Sequence, residues 1–189
     1  MGIYGSICSK RTVRLFKPEK ISYDLLKNCV DAARLSSSAR NSQPLEYIIV
    51  EDKKILKKVI PLLNFGGFIS ENRKAVKGSE PVALIVMLVK KDAGEYYKYD
   101  VGIAAQNICL VAYQNKLGSC MMGSIDRPRI KEELNIPDDY LVDLVIALGY
   151  PKENPVLEES KNKTDYYRRD GVLYIPKRTL KSVLHRNRF

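Results

Sequence analysis

One unbroken apolar run, PVALIVMLV at residues 81–89, constrains the fold of this 189-residue chain more than any other segment. A helix that crosses a bilayer needs about 20 apolar residues, so this run is far too short to span a membrane. Its aliphatic and β-branched side chains suit a buried strand instead. Pro81 bounds the run on one side, and Lys90 and Lys91 bound it on the other. The sequence therefore predicts a core strand over 81–89.

Helical and extended patterns alternate along the rest of the chain. Helices are predicted at 23–35, with Ser22 as the N-cap, at 53–63 with a disturbance at Pro61, at 96–116 and at 127–135. Strands are predicted at 46–51, at 119–123 (or a tight turn there) and at 140–150, and a glycine loop at 64–68. This order favours a layered α/β or α+β sheet in one domain, because the chain is short for two full cores.

The long helix predicted at 96–116 has one face of small or apolar residues. Small side chains allow another helix to approach closely, so the pattern predicts a dimer formed through this helix. The residues of this face are Val101, Ala104, Ala105, Ile108, Val111 and Ala112.

Cysteine and histidine usage limits the possible chemistry. Cys8, Cys29, Cys109 and Cys120 contain no CxxC pair, which favours buried free thiols in a reducing cytoplasm. The only histidine is His185, which argues against a zinc site and against Ser/His/Asp or Cys/His catalysis. Any chemistry must therefore come from other side chains or from a bound cofactor. Neither a secretory signal nor a membrane span is predicted.

Positive charge is concentrated towards the C-terminus. The chain has a formal net charge of +10, and residues 161–189 hold nine Lys/Arg and two Asp/Glu. A segment of this kind is typical of a solvated surface or a nucleic-acid-binding arm. It also contains apolar residues that a disordered arm would lack, so we expect it to pack on something. These residues are Val172, Leu173, Tyr174, Ile175, Leu180, Val183, Leu184 and Phe189.

Two polar stretches are candidate binding elements. The loop SSSARNSQPLEY at 36–47 is compatible with an ordinary turn, but the amides of Asn41 and Gln43 could bind the edge of a heterocycle that donates and accepts hydrogen bonds. The basic run KRTVRLF at 10–16 is compatible with a solvated surface, a nucleic-acid patch or one arm of a smaller anion site. Neither GxGxxG nor GxxxxGK[ST] is matched, so neither a dinucleotide fold nor a nucleotide triphosphatase is predicted.

Five motifs, in order, resemble those of the FMN-dependent nitroreductase family. They are KRTVRLF at 10–16, SSARNSQPL at 37–45, the D-x-G-x-A-x-Q-N pattern at 100–107, GSCMMG at 118–123 and LGYP at 148–151. A basic pair, Lys177 and Arg178, closes the pattern, which covers about residues 8 to 180. Leu45 replaces the family's usual tryptophan, Ser37 stands where proline is common, and the connection after the strand at 81–89 is short. The acceptor is therefore the least transferable inference.

The resemblance implies an α+β fold with three α/β/α layers, in which helices flank a central, mostly antiparallel sheet. It implies a single domain over 1–189 and an intertwined homodimer, with 161–189 extending onto the partner subunit. The implied cofactor is FMN, with NADH or NADPH as electron donor. Hydride would pass by a ping-pong cycle to an oxidised small molecule such as a nitroaromatic or a quinone. The implied location is the cytoplasm, with neither nucleic acid nor membrane as a partner.

The resemblance also implies roles for individual residues, none of which is a catalytic nucleophile. Arg14 is expected at the pyrimidine end of the flavin, where a cation stabilises the reduced form more than the oxidised form. The phosphate candidates are Lys10, Arg11, Thr12, Lys177 and Arg178, and it stays open which of Lys10 and Arg11 faces the phosphate. The ring candidates are Ser37, Ser38, Asn41 and Gln43 at the polar edge, Met121, Met122 and Gly123 near the ring face and N5, and Lys74 at the ring or ribityl chain.

Two other functions remain open at this point. A flavoprotein of the same fold could perform different chemistry, such as reductive dehalogenation or flavin destruction. A basic nucleic-acid-binding module is the other alternative, although the sequence has no aromatic-interleaved basic stripe and no known reader motif.

Overall fold

The computed structural model describes residues 2–69 and 73–189 of the chain. Its helices are α1 (Ile3–Ser9), α2 (Tyr23–Arg34), α3 (Lys53–Val59), α4 (Tyr97–Gln114) and α5 (Arg127–Glu133). Its strands are β1 (Leu45–Val50), β2 (Ala83–Lys90), β3 (Gly118–Met122), β4 (Tyr140–Gly149), β5 (Val156–Ser160), β6 (Tyr167–Arg169) and β7 (Val172–Arg178). The predicted helices and strands lie within a few residues of these bounds. The predicted disturbance at Pro61 is a 3₁₀ turn, Ile60–Leu62, that ends the helical segment.

The central sheet has four strands in the order β1-β2-β4-β3, and every pair is antiparallel. Side chains of β2 alternate between two cores, as the pleat of a strand requires. Leu84, Val86 and Leu88 pack with α3 and α5, whereas Ile85, Met87 and Val89 pack with α2 and α4. Helices therefore cover both faces of an antiparallel sheet, and the predicted three-layer α+β architecture is confirmed.

Another helix does approach the small-residue face of α4, but it is α2 of the same chain. Ala104, Ala105, Ile108 and Ala112 are fully buried within the chain, where they pack in the core shared by α2 and the central sheet. Small side chains are needed there because α4 lies between α2 and the sheet. This face is therefore covered within one chain and the dimer stays a prediction, while the outward face of α4 includes the exposed Tyr99, Gly102 and Ile103.

A second sheet, which the sequence analysis did not predict, is formed by the C-terminal region. It has the order β5-β7-β6, with β5 parallel and β6 antiparallel to β7. Leu173 on β7 is 1% exposed, so part of the basic segment packs on the chain as expected. Beyond β7 the apolar residues Leu180, Val183, Leu184 and Phe189 are exposed in the single chain.

The four cysteines are unpaired, and Cys29, Cys109 and Cys120 are buried as predicted. Cys8 is exposed instead, because α1 presents this position to solvent. Within the described part of the chain, each helix is too short or too polar to span a bilayer.

Candidate functional site

The basic run at 10–16 lies along β3, at the edge of the central sheet. Thr12 forms a parallel bridge with Ser119, and the Val13 amide donates to the Ser119 carbonyl at 3.0 Å. Val13 and Phe16 are 6% and 0% exposed and belong to the core beneath α3 and α5. These two apolar anchors fix Arg14, which lies between them, against the edge of the sheet.

Two glycines on neighbouring strands make room for these anchors. A Cβ atom built on Gly118 would lie 2.8 Å from Val13, and one built on Gly149 would lie 2.8 Å from Phe16. Both glycines belong to motifs that the sequence analysis had singled out, GSCMMG and LGYP. Their role here is close packing, because the basic segment crosses directly over them.

Lys10 and Arg11 point to different surroundings. The guanidinium of Arg11 donates to the carbonyls of Lys10 and Cys8, both at 2.6 Å, and so satisfies the C-terminal end of α1. Burial raises the pKa of the Cys109 thiol, and the nearby Lys10 ammonium opposes this rise. The same ammonium opposes the rise in the pKa of Cys120 on β3, so Lys10 lies near both α4 and β3.

Arg14 is the most enclosed cation of the basic run, with 8% of its surface exposed. Its Nε donates to the Phe65 carbonyl at 2.6 Å, and its Cζ lies 4.4 Å from the centroid of the Tyr166 ring. Among residues 2–69 and 73–189, Nη1 of Arg14 is buried without a hydrogen-bond partner. Burial raises the pKa of the neighbouring Cys120 thiol to about 11 despite the opposing effect of Arg14, so this thiol stays protonated.

The polar loop at 36–43 is held by α4. The Ala39 amide donates to Oδ1 of the buried Asp100 at 3.0 Å, and Nδ2 of Asn107 donates to the Ser36 hydroxyl at 2.8 Å. Below the loop is a cavity of about 120 Å³ lined by Ser37, Ser38, Gln43, Tyr47 and Asp100, among others. Burial, followed by the nearby Asp100, raises the pKa of Tyr47 to about 12.

Three non-glycine residues in this loop have a left-handed backbone. The φ angles of Arg40, Asn41 and Gln43 are 55°, 54° and 46°. Each such residue costs of order 1 kcal/mol or more, so surrounding contacts must maintain the loop conformation. The Ser38 hydroxyl helps by accepting a hydrogen bond from the backbone amide of Gln43 at 3.1 Å. The loop thereby exposes the side chains of Asn41 and Gln43 to solvent.

The predicted ring-face residues lie at the end of β3 and in the turn that follows it. Met122 is buried, Met121 is half-buried and Gly123 is exposed. Nη2 of Arg127, at the first turn of α5, donates to the Gly123 carbonyl at 2.9 Å. The Asn64 amide donates to the Ser124 carbonyl at 3.1 Å, so the turn is fixed from two sides.

The remaining predicted cations lie elsewhere on the surface. The Lys74 ammonium donates to the carbonyls of Pro61 and Leu63, at 2.9 and 3.3 Å. Lys177 and Arg178 are exposed at the end of β7, and Arg178 donates to the Ser182 carbonyl.

The candidate residues therefore form three groups in one chain. The first contains the basic run and the turn after β3, with Lys74 on an adjoining segment. The second is the loop at 36–43, beside α4, and the third is the end of β7. No hydrogen bond or ion pair between described residues joins the second or third group to the first.

A sequence model of the nitroreductase family matches residues 7–150, which is most of the chain and includes the first two groups. The chain belongs to the nitroreductase family. The predicted family is thus confirmed, and with it an oxidoreductase of nitroreductase type as the class of enzyme.

Individual relatives agree with this assignment. A protein of Methanothermobacter thermautotrophicus with the provisional name NADH dehydrogenase/NAD(P)H nitroreductase is 30% identical over 162 residues, which is 82% of this chain and 80% of the relative. An iodotyrosine deiodinase of Thermotoga neapolitana is 24% identical over 168 residues, covering 80% of this chain and 89% of the relative. The solved structure of an FMN-dependent nitroreductase from Clostridium difficile R20291 superposes with a TM-score of 0.73 at 26% identity, over 98% of this chain and 99% of the other.

Sequence reasoning missed the residues that hold Arg14 in place. The backbone amides of Arg14 and Leu15 each donate to Oε1 of Glu153, at 2.5 and 3.1 Å respectively. The Tyr166 hydroxyl accepts the Gly67 amide at 2.7 Å and so keeps its ring over Arg14. Its position two residues beyond LGYP was a usable signal for Glu153, whereas Tyr166 had none.

Proposed function

We propose that this member of the family is an FMN-dependent oxidoreductase that transfers hydride from NADH or NADPH to an oxidised small molecule such as a nitroaromatic or a quinone. The observation that carries the proposal is the buried guanidinium of Arg14, whose Nη1 has no partner among the described residues. A buried donor on a cation is costly unless a ligand satisfies it, and a flavin offers carbonyl acceptors and, when reduced, negative charge. FMN, when bound, supplies the hydride chemistry itself.

The cations near β3 suit the phosphate of FMN, which carries a charge of about −1.5 to −2 by analogy with phosphorylated side chains. We assign Lys10 and Thr12 to this phosphate, because Thr12 bridges to Ser119 on β3 and Lys10 is close enough to Cys120 on the same strand to oppose the rise of its pKa. Arg11 uses two of its nitrogens on carbonyls at the end of α1 and keeps only Nε buried and without a partner among the described residues, so it is the weaker phosphate candidate of the two. Lys177 and Arg178 complete the assignment.

The flavin ring would meet the other candidate residues. Arg14 is assigned to the pyrimidine end of the ring and Lys74 to the ring or ribityl chain. The exposed amides of Asn41 and Gln43 offer donors and acceptors to the polar edge. The remaining assignments are Ser37 and Ser38 at the same edge, and Met121, Met122 and Gly123 near the ring face and N5.

We propose that two copies of the chain build each site. Between the described residues of one chain, no hydrogen bond or ion pair joins the second or third group to the first, so a second copy would supply the groups that one copy lacks. Exposed apolar side chains at the end of the chain, such as Leu180 and Leu184, would be buried if 161–189 extended onto the partner subunit. Tyr99 and Ile103 on the outward face of α4 offer a second surface for the same contact.

The short connection between β2 and α4 supports a ping-pong cycle. Only six residues, 91–96, connect β2 to α4, which leaves little chain to build a separate pocket for each substrate. The nucleotide donor and the oxidised acceptor would therefore occupy the same place in turn. The chain's own residues bind and orient both, and none acts as a nucleophile.

The proposal is tested by the absorption spectrum of the purified, FMN-reconstituted protein. We expect flavin bands that bleach when NADH or NADPH is added without oxygen and that return when a quinone or nitroaromatic follows. Double-reciprocal plots of initial rate against nucleotide concentration, at several fixed acceptor concentrations, should give parallel lines. Protein that remains colourless after incubation with FMN would refute the proposal.

Reductive dehalogenation is a second candidate function, favoured by the likeness to a protein named iodotyrosine deiodinase. It would use the same bound FMN but release halide from a halotyrosine. Halide release at a rate well above nitroaromatic reduction, measured on one preparation with the same reductant, would favour this function. Turnover of a nitroaromatic or a quinone with no halide release from halotyrosine would support the first proposal.

The basic pair at the end of β7 should contribute to phosphate binding. Replacing both Lys177 and Arg178 by Ala removes two exposed cations, and charge-assisted bonds to phosphate are strong but screened by salt. We expect FMN affinity to fall roughly tenfold or more at low ionic strength, which is about 1.4 kcal/mol or more, and the difference to shrink at high salt. Titration of apoprotein with FMN at two salt concentrations measures this. Arg186→Ala with Arg188→Ala removes the same charge from the same segment and should change the affinity much less. Equal losses of FMN affinity in both double variants would show that Lys177 and Arg178 are solvated surface residues that do not bind the phosphate.

We also propose that the enzyme works in the cytoplasm. Its four thiols are unpaired, which agrees with a reducing compartment. Fractionation of cells that express the tagged chain would test this location.

A further inference from the structure

The charge of Arg14 is enclosed but not neutralised. Its side chain contacts a carbonyl, that of Phe65, and the face of an aromatic ring, that of Tyr166. Such a contact can contribute about 2 kcal/mol where water is excluded, without cancelling the charge of the cation. Within 2–69 and 73–189, no carboxylate forms an ion pair with Arg14.

A buried carboxylate, that of Glu153, contacts the main chain of Arg14, and its side chain is 5% exposed. One oxygen, Oε1, accepts the backbone amides of Arg14 and Leu15. The other, Oε2, accepts Nη2 of Arg168 at 2.5 Å, and the Arg168 side chain is only 14% exposed. Glu153 therefore holds the main chain of Arg14, while its negative charge is paired with a different arginine.

The consequence is a buried group of two arginines and one glutamate with a net charge of +1. If Arg168 were absent, the carboxylate of Glu153 would lose its ion-pair partner, and its negative charge would offset more of the positive charge of Arg14. If Glu153 were absent, two positive charges would remain. Charges that are shielded from water are weakly screened, so each change would alter the free energy with which this group binds an anion.

We infer that Glu153 and Arg168 are positioning residues that set the positive charge which Arg14 presents to bound flavin. This inference rests on the proposed function. Glu153 fixes the backbone of Arg14, and Arg168 occupies the carboxylate that would otherwise neutralise Arg14. The pair thereby raises the stability of the anionic reduced flavin relative to the oxidised form, without contacting the flavin itself.

Opposite shifts of the flavin reduction potential test this inference. Glu153→Gln removes a negative charge while keeping an oxygen for the backbone amides, so the potential should rise. Arg168→Gln leaves the negative charge of Glu153 uncompensated, so the potential should fall. A tenfold change in the relative affinity for reduced and oxidised flavin corresponds to about 30 mV for a two-electron couple, and we expect shifts of about this size. The potential is measured on FMN-loaded protein against a reference dye.

Matched variants separate charge from structural damage. Arg169→Gln removes the same charge at the next residue, where the guanidinium is exposed near the rings of Tyr167 and Tyr174, and should leave the potential unchanged. Arg168→Lys keeps the charge and should keep the potential. A variant that only loosens the fold would lower the melting temperature of the apoprotein and would not produce opposite signs.

The outcomes also separate the two proposals. Wild-type protein that binds no FMN would overturn the proposed function and this inference with it. Wild-type protein that binds FMN and is reduced, while Glu153→Gln and Arg168→Gln shift the potential in the same direction or not at all, would overturn this inference alone.

Discussion

Replacing Arg14 by Ala should weaken FMN binding by roughly 10- to 150-fold, because hydrogen bonds to charged groups contribute about 1.5–3 kcal/mol. The guanidinium is 8% exposed and offers a buried Nη1 that the described residues leave without a partner. Its loss should affect reduced flavin more than oxidised flavin, since only the reduced form gains negative charge near the cation. Flavin reduction by NADH or NADPH should therefore slow even when FMN is present in excess. Fluorescence titration of apoprotein and anaerobic stopped-flow absorbance measure the two effects.

Two substitutions make the Arg14 result specific. Arg14→Lys keeps the charge but cannot reproduce the planar, multiply donating group, so it should recover part of the affinity and most of the reduction rate. Arg129→Ala removes an exposed cation from α5 and should change neither. Far-ultraviolet circular dichroism should show that Arg14→Ala remains folded. Wild-type affinity and rate in Arg14→Ala would show that this cation does not serve the flavin.

The layers of the fold were predictable because they depend on local patterns. The run at 81–89 predicts a strand with two covered faces, and β2 is buried at all positions but its last. The helix predicted at 23–35 is found at Tyr23–Arg34, with Ser22 as its cap. The C-terminal sheet was not predicted, because β5 and β7 carry interleaved charges and pair in parallel across an intervening segment. No periodicity in either strand reveals such a pairing.

The candidate site was predictable in part for the same reason. The basic run and the loop at 36–47 are contiguous motifs, so sequence could point to both. The contacts that position Arg14 join residues that are far apart in the sequence, since Glu153 lies 139 residues from it. Short-range patterns also could not show that Arg11 turns back onto α1 while Lys10 lies near the thiols of Cys109 and Cys120. The sequence showed which residues have suitable chemistry, whereas the direction in which each side chain points could be seen only in the folded structure.

Adding one methyl group at Gly149 should destabilise the protein and weaken FMN binding together. A Cβ atom there would lie 2.8 to 3.0 Å from three atoms of Phe16, which is fully buried and has no free space to move into. Overpacking of this kind typically costs about 1–3 kcal/mol, so Gly149→Ala should lower the free energy of unfolding by that amount. Gly149→Val should cost more. Because Phe16 anchors the segment that carries Arg14, its displacement should also raise the dissociation constant of FMN.

A double-mutant cycle identifies the clash as the cause. Phe16→Leu removes the ring atoms that the new Cβ would meet, so Gly149→Ala should cost less in that background, by about 1 kcal/mol. Thermal and urea unfolding of the apoproteins measure the stabilities, and FMN titration of the same four proteins measures the affinities. Gly149 does not have a positive φ angle, so an equal cost in both backgrounds cannot be attributed to left-handed backbone and would contradict the packing explanation. Additive stabilities with coupled FMN affinities would instead show that Phe16 positions Arg14 without limiting the fold.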